Sequence, residues 1–437
     1  LSDSPFNFLF YGGAHDLNCF DSISPTTGTI FNYFCKCSCN SWIAENTWKT
    51  RIQMNNNYTN NSKVPYTAKT FGFLSHLDLN LWLFRLPIMQ ELVRQGHTVY
   101  AICPSGEISS SFCEHGITHI PYEIERSSLN LFKELHAIKH IYTAIKPLNL
   151  DILHTFTAKP NIYGTIAGRF ARVPRIINLV EGLGSFYLEN DIKSRIVRNL
   201  IEMLYRQTFK LADTVMFVNQ DDPAYLIEKK VINISKVFTI KGVGIDTAFW
   251  SPLPKTDSWI RVTMVARALK HKGVQEFIDA AAILTQHYPE VSFQFVGSPD
   301  EGNRSSFTEA FMKEQTSIHY LGHQNNIRHI LSQSDIFVLP SYREGLPRTS
   351  MEAMSMGLPI VTTDVVGCRE TVDEGINGFL VPPYNALALS EAIEKLIEDS
   401  DLRSKMGRAG REKALKEFDI ATIVDKHLEV YGLQRVR

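Results

Sequence analysis

The chain has 437 residues, 44% of them hydrophobic, with 45 basic and 46 acidic side chains. This length predicts two or three domains with large cores, and the balanced charge argues against a nucleic-acid-binding protein. No apolar run reaches about 18 residues, so no membrane span is predicted.

The first part of the chain, residues 1–69, differs from the remainder. It mixes Ser, Asn, Thr and Cys with isolated aromatic residues, shows no sustained period, and its first methionine is Met54. We expect residues 1–69 to be an extension that is disordered or starts outside the native protein. Four of the seven cysteines lie here, at positions 19, 35, 37 and 39. The "CKCSC" spacing lacks the paired cysteines of common zinc sites, so we favour reduced thiols and a cytoplasmic location.

From Thr70 onward, short apolar runs alternate with amphipathic stretches. Such alternation predicts a parallel sheet with helices on both faces. Helices are predicted over residues 83–95 and in "LFKELHAIKHIYTAIKPL". The predicted strands are "TFGFLSH", "HTVYAICP", "GITHIPYEI", "DILHTF", "RIINLVEG", "TVMFVN" and "VFTIKGVG".

A second series of the same kind follows the proline-containing segment 251–258, which we interpret as a linker. Its predicted strands are "SWIRVTMVAR", "VSFQFVGSP", "SIHYLG", "DIFVLPSY" and "PIVTTD", with helices in "GVQEFIDAAAILTQHY" and "RTSMEAMSM". The predicted fold class is therefore α/β, with two Rossmann-like doubly wound domains over residues 70–250 and 259–415. Ligands of such sheets bind at the carboxyl ends of the strands, here in a cleft between the domains.

Common phosphate and metal motifs are absent. No G-x-x-x-x-G-K-[ST] occurs, and the first strand is followed by "SHLDLN" rather than G-x-G-x-x-G. The D-x-D at Asp399–Asp401 lies in a polar break, where a solvated turn or helix cap is the better interpretation.

Two cations follow the first strand of the second series. Arg267 comes at the strand end and Lys272 five residues later, before a helix that starts near Gly273. A helix N-terminus with two cations suits a diphosphate. Two ordinary surface cations are the alternative.

Two glutamates flank the next strand-to-helix junction. Glu344 falls in the loop after the strand, and Glu352 lies about one turn into the helix that begins near Arg348. A carboxylate can accept two hydrogen bonds from a vicinal diol, so this pair suits ribose and hexose hydroxyls better than acid–base catalysis. Gly367 and Glu370 repeat the arrangement after the following strand. The three junctions together predict a nucleotide-sugar site.

The segment "PSYREGLPRTSMEAMSMGLPIVTTDVVGCRETVDEGINGFLVPP" resembles the E-x₇-E region of retaining GT-B glycosyltransferases of family 4. "ARALKHKGVQEF" resembles their R-x₄-K diphosphate segment, and the resemblance covers about residues 70–431. It implies two Rossmann-like domains that face a cleft, a UDP-sugar donor, and no metal or other cofactor. It also implies that the C-terminal segment 416–437 crosses back to the first domain as a helix.

The same resemblance implies roles at the site. Arg267 and Lys272 would hold the donor diphosphate, Glu344 the sugar and Glu352 the ribose, with Arg267, Lys272 and Glu344 also counted as catalytic. The implied donor-binding residues are Arg267, Lys272, Glu344, Arg348, Thr349, Glu352, Gly367 and Glu370.

The first domain, through "FGFLSH", "FRLPIMQEL", "LVEGLGSFY" and "IKGVGID", resembles bacterial members that add N-acetylhexosamine to polyprenyl-diphosphate-linked glycans. Many family members carry a histidine that would fall at Phe156 or Ala158, and this chain has none there. His154 is the nearest histidine and a catalytic candidate, although strand alternation can also place it in the core. The acceptor-side candidates are His76, Lys159, Asn161 and Glu181.

Residues 192–213 form a predicted basic amphipathic helix. Such a helix can lie on an anionic bilayer, or it can pack as a surface helix with a solvated basic face. A lipid-linked acceptor favours peripheral contact at the cytoplasmic face of a bacterial inner membrane.

The predicted function is a retaining hexosyltransferase that moves a sugar from a UDP-sugar to a lipid-linked glycan. Two alternatives remain at this point. One is a UDP-sugar 2-epimerase built on the same two domains, and the other is a non-catalytic nucleotide-sugar-binding subunit.

Overall fold

The computed structural model describes residues 68–124, 131–189 and 191–435. The predicted extension, its cysteines and most of the segment 1–69 lie outside these residues. The strands are β1 Thr70–Leu74, β2 Thr98–Ile102, β3 Thr118–Ile120, β4 Ile152–Phe156, β5 Arg175–Val180, β6 Thr214–Phe217, β7 Val237–Thr239, β8 Arg261–Val265, β9 Ser292–Val296, β10 His319–Gly322, β11 Ile336–Leu339, β12 Ile360–Thr363 and β13 Gly378–Val381.

Two 3₁₀ helices, Ser109–His115 and Arg369–Thr371, connect β2 to β3 and β12 to β13. α-Helices make the other connections within each sheet, as parallel strands require, and follow β13. They are α1 Asp78–Arg94, α2 Leu131–Ile145, α3 Ala158–Phe170, α4 Ile192–Leu211, α5 Asp221–Glu228, α6 Val274–Leu284, α7 Glu309–Glu314, α8 Ile327–Ser332, α9 Arg348–Ser355, α10 Ala386–Glu398, α11 Ser400–Lys413 and α12 Ile420–Tyr431. Helix α1 begins upstream of the predicted residue 83, because the aspartate at its first position supplies a negative charge at the positive end of the helix.

The first sheet has the order β3-β2-β1-β4-β5-β6-β7 among the described residues, and all its strands are parallel. Its central strands are apolar along their whole length because helices cover both faces. In β4, for example, all five residues are buried. The order reverses between β1 and β4, so the connections leave in opposite directions and a crevice opens at the carboxyl ends of these two strands.

The second sheet has the order β10-β9-β8-β11-β12-β13, again parallel throughout. Its reversal falls between β8 and β11, the two strands that precede the predicted diphosphate and carboxylate segments. The prediction of two Rossmann-like doubly wound α/β domains is confirmed. Residues 251–258, interpreted as a linker, contain no helix or strand. However, Ile245 and Trp250, which precede them, already belong to the buried cluster of the second domain, so the chain crosses between the domains before this segment.

The C-terminal helix α12 packs on the first domain. Val424, Leu428 and Tyr431 belong to the same buried cluster as Phe71 and Phe73 of β1. This burial explains the apolar spacing of "FDIATIVDKHLEVYG", which a solvated helix would not need.

The chain passes between the domains at two places, and these two segments are hydrogen-bonded to each other. The amide of Ile245 donates to the carbonyl of Phe418 at 2.9 Å, and the amide of Ile420 donates to the carbonyl of Ile245 at 2.8 Å. The Thr247 hydroxyl adds a hydrogen bond to the carboxylate of Asp419, which also caps α12.

Candidate active site

The carboxyl ends of β8 and β11 bring Lys272 and Glu344 together at the reversal of the second sheet. Lys272 ends a short 3₁₀ turn before α6, and its Nζ lies 2.5 Å from Oε1 of Glu344. Their side chains are 18% and 13% exposed. The pair is therefore partly shielded from water, so its charges interact more strongly than those of a surface pair.

Arg267 follows β8 by two residues and is more open than Lys272. Its side chain is 49% exposed, and its Nη1 donates to Oδ2 of Asp300 at 2.6 Å, in the loop after β9. An anion that binds Arg267 must share it with this carboxylate, or replace it.

Helix α9 carries the second glutamate. Glu352 accepts a hydrogen bond from Nε of Arg348 one turn earlier, at 2.8 Å. Burial raises the pKa of Glu352, and Arg348 opposes this rise. Nη1 of Arg348 donates to the carbonyl of Leu83 at 3.3 Å, and its guanidinium lies 5.5 Å from the ring centroid of Phe84. The beginning of α9 is thus held against α1 of the first domain.

The loop 341–347 between β11 and α9 packs closely against neighbouring backbone segments, and glycines at the contacts leave no room for a side chain. A Cβ on Gly345 would lie 1.8 Å from the carbonyl oxygen of Glu181 in the first domain, and one on Gly367 would lie 2.4 Å from that of Glu344. Gly367 also has φ +80°, a conformation that favours glycine. Glycine at these positions lets three backbone segments meet beside the Lys272–Glu344 pair.

Glu370 bridges the domains. Its Oε2 lies 2.5 Å from Nζ of Lys241, and its Oε1 accepts from the amide of Gln220 at 3.1 Å. Thr349, in the first turn of α9, is half-buried. The predicted donor residues therefore all lie after the carboxyl ends of β8, β11 and β12, in the loops and helices that follow these strands.

On the first domain, Glu181 follows β5 and faces the 341–347 loop. It forms an ion pair with Arg85 of α1, whose side chain is fully buried while that of Glu181 is 24% exposed. The guanidinium of Arg85 lies 4.5 Å from the ring centroid of Phe156. Burial lowers the pKa of Arg85, and Glu181 opposes this. The carboxylate of Glu181 therefore lies at the cleft and is held in place by its ion pair with the buried Arg85.

His76 and Thr157 meet across the reversal of the first sheet. Nδ1 of His76, after β1, lies 2.9 Å from Oγ1 of Thr157, after β4. Thr157 has φ +71°, which is strained for a β-branched residue. Sequence reasoning missed Thr157, because its backbone conformation leaves no trace in the residue pattern.

The other acceptor-side candidates differ in placement. Lys159 lies in the first turn of α3 and pairs with Glu134 at 2.8 Å. Asn161 is fully buried, and its amide donates to the carbonyl of Leu179 at 2.8 Å while accepting from the Thr155 hydroxyl. The structure therefore contradicts the prediction that Asn161 contacts the acceptor, since these hydrogen bonds hold its side chain inside the domain.

His154 is also a core residue. It is fully buried, its Nδ1 lies 2.6 Å from the hydroxyl oxygen of Tyr431, and its ring packs 4.3 Å from that of Phe156. Burial lowers the pKa of His154 well below its usual value, and the neighbouring His427 lowers it further. The structure therefore contradicts a catalytic role for His154, because its side chain is hydrogen-bonded between β4 and α12 and does not reach the cleft.

The aspartate pair at residues 399–401 has a capping role. The carboxylate of Asp399 accepts a hydrogen bond from the amide of Leu402 at 2.8 Å and begins α11. The prediction of a helix cap is confirmed.

Two family models match the chain, one on each domain. The model described as "Glycosyl transferase 4-like" matches residues 73–219, and "Glycosyl transferases group 1" matches residues 247–413. The second match contains Arg267, Lys272, Glu344 and Glu352.

Two curated relatives are similar over most of the chain. The N,N'-diacetylbacillosaminyl-diphospho-undecaprenol alpha-1,3-N-acetylgalactosaminyltransferase of Campylobacter jejuni is 35% identical over 82% of this chain and 97% of its own length. The UDP-Gal:alpha-D-GlcNAc-diphosphoundecaprenol alpha-1,3-galactosyltransferase of Escherichia coli is 27% identical over 70% of this chain and 81% of its own.

Solved structures share the fold. A glycosyltransferase from Rickettsia africae superposes with a TM-score of 0.69 at 23% identity, covering 84% of this chain and 98% of that one. Anabaena Alr3699/HepE in complex with UDP gives a TM-score of 0.68 at 20% identity, covering 83% of this chain and 99% of that one. The two parallel-sheet domains, the residues at the strand-to-helix junctions and the similarity to the Campylobacter relative all indicate the same family. The chain belongs to the GT-B glycosyltransferases of family 4.

Proposed function

We propose that this glycosyltransferase moves an N-acetylhexosamine from a UDP-sugar to a polyprenyl-diphosphate-linked glycan, with retention at the anomeric carbon. The observation that carries the proposal is the shielded Lys272–Glu344 pair at the sheet reversal. It offers one cation for a phosphate and one carboxylate for sugar hydroxyls at a single position. The names of the Campylobacter and Escherichia coli relatives support the acceptor class, since both specify diphosphoundecaprenol.

The donor would lie along the carboxyl edge of the second sheet. Lys272 and Arg267 would bind the diphosphate, with amides at the start of α9 adding partial positive charge. Glu344 would accept hydrogen bonds from the sugar and Glu352 from the ribose. Glu370 and Gly367 would close the phosphate side.

The chemical demand is charge stabilisation. The bond between the anomeric carbon and the diphosphate oxygen breaks while the acceptor hydroxyl oxygen bonds that carbon. Negative charge gathers on the departing UDP, which would take up the proton that the hydroxyl loses. Lys272 gains attraction as that charge grows, so it lowers the barrier more than it strengthens ground-state binding. With two cations at the diphosphate, donor binding and transfer would need no metal ion.

Lys272→Ala tests this assignment. We expect kcat to fall by about 10²- to 10³-fold with a smaller change in the donor KM, measured with UDP-N-acetylhexosamines and a lipid-linked acceptor. Lys270→Ala is the matched control, because Lys270 is an exposed cation in the same turn. Unchanged turnover in Lys272→Ala would refute its leaving-group role.

On the acceptor side, we propose that the carboxylate of Glu181 and the imidazole of His76 face the incoming glycan. Each follows a central strand of the first sheet at its carboxyl end. Lys159, at the first turn of α3, would contribute positive charge toward the acceptor diphosphate.

We further propose that α4 rests on an anionic membrane. Within the described residues, no helix combines the length and apolar character needed to span a bilayer. However, Ile192, Ile196, Leu200 and Met203 are exposed along one side of α4, and the cation Arg195 is exposed beside them. An exposed apolar stripe flanked by basic residues suits an interfacial helix.

Sedimentation with anionic vesicles tests the membrane contact. The double variant Ile196→Glu/Leu200→Glu should lose binding, since it places two charges in the apolar stripe. Ile376→Glu, on an exposed apolar residue of the second domain, should bind like the unmodified chain. Equal sedimentation of all three would refute a docking role for α4.

A further inference from the structure

Three potential metal ligands converge on the first domain, outside the residues assigned to transfer. His136 and His140 are four residues apart on α2 and thus share one face, with ring centroids 4.0 Å apart. Glu123 follows β3, and its Oε2 lies 3.8 Å from Nδ1 of His140. One ligand atom from each of the three lies within 4.8 Å of the other two.

This set of donors is selective in its chemistry. Zn²⁺ is held by imidazole nitrogens and carboxylate oxygens at about 2.0–2.2 Å, so tetrahedral ligand atoms lie roughly 3.3 Å apart. Exposed side chains can close the remaining gap by rotating, and both Glu123 and His136 are exposed. Ca²⁺ and Mg²⁺ instead prefer oxygen ligands, which this cluster offers only once.

We propose that Glu123, His136 and His140 bind one Zn²⁺ ion, with a water molecule in the fourth position. The ion would link the chain after β3 to α2. Helix α2 also carries Glu134, which pairs with Lys159 at the edge of the cleft. Zinc at this site would therefore hold one wall of the acceptor side in place, away from the donor diphosphate.

Cobalt provides the test, since Co²⁺ occupies zinc sites and reports its ligands by absorption. Titration of the metal-free full chain should produce visible d–d bands that saturate at one equivalent. His136→Asn/His140→Asn should lose them, and Zn²⁺ should displace the cobalt from the unmodified chain. The control His319→Asn/His323→Asn removes two exposed imidazoles elsewhere and should keep the bands.

The cysteines at positions 35, 37 and 39 are the competing ligands, and the spectrum separates them. Thiolate ligands add intense near-ultraviolet charge-transfer bands, which imidazole and carboxylate do not. Bands of that kind, or d–d bands unchanged in the α2 double variant, would overturn the proposal. Glu123→Gln should weaken cobalt binding about tenfold, and unaltered affinity would exclude Glu123 as the third ligand.

Discussion

Replacing His427 with glutamine should make the protein more resistant to acid. His427 is fully buried on α12, and its Nδ1–H donates to the carbonyl of Ile423 at 2.8 Å. Burial lowers the pKa of His427 to about 3. The folded protein thus keeps this imidazole neutral at pH values where the unfolded chain protonates it at an ordinary pKa of about 6.5.

The sign and size follow from proton linkage. Below about pH 6.5 the unfolded chain binds one more proton at His427 than the folded protein does, so stability falls as the pH drops toward 3. Between about pH 7.5 and pH 5 this single group removes about 2 kcal/mol, since each pH unit below 6.5 costs about 1.36 kcal/mol. His154, 5.7 Å away between ring centroids, has its pKa lowered in the same direction.

Urea unfolding at the two pH values measures this effect. From pH 7.5 to pH 5, the free energy of unfolding of the unmodified protein should decrease by about 2 kcal/mol more than that of His427→Gln. Glutamine keeps an N–H donor for Ile423 but does not titrate. His323→Gln, at an exposed position, should leave the pH dependence unchanged. Equal pH dependence in His427→Gln and the unmodified protein would refute the buried neutral histidine.

Three other substitutions test the cleft. Glu352→Gln should weaken UDP binding roughly tenfold to a hundredfold at neutral pH. Burial raises the pKa of Glu352, so calorimetry on the unmodified protein should show its UDP affinity falling on acidification at a pH above the usual carboxyl range. The variant should lack this pH dependence. Glu181→Ala should cost about 3–5 kcal/mol of stability by leaving the buried guanidinium of Arg85 unpaired, and Arg85→Met should cost less because Glu181 is partly solvated; equal costs in urea unfolding would contradict this asymmetry. Gly367→Ala should weaken UDP binding because its Cβ would lie 2.4 Å from a carbonyl of the 341–347 loop, whereas Gly302→Ala, at the same φ of +80° with open space, should not.

The sequence predicted the fold well because parallel strands are buried on both faces and therefore read as continuous apolar runs. Strand β13 was missed, since its four residues begin with a glycine and give no period. The position of each residue proposed to bind the donor was also predictable, because residues just after such strands must lie at one edge of the sheet.

Contacts between distant segments were not predictable. The pairing of Arg85 with Glu181 and of Lys241 with Glu370 joins residues that no local pattern relates. His154 was ambiguous for the same reason: its neighbour Tyr431 lies 277 positions away in the sequence, on a helix that returns to the first domain.

That return of the chain has a mechanical consequence. The two segments that cross between the domains meet at Ile245 and Asp419 and are joined there by backbone hydrogen bonds. A single connecting strand would allow one domain to swivel freely about its bonds, whereas two crossings tied side by side resist torsion and leave bending about their shared line as the easy motion. We therefore expect any opening and closing of the cleft to follow one direction, which would bring the faces bearing Glu181 and Glu344 back to the same alignment.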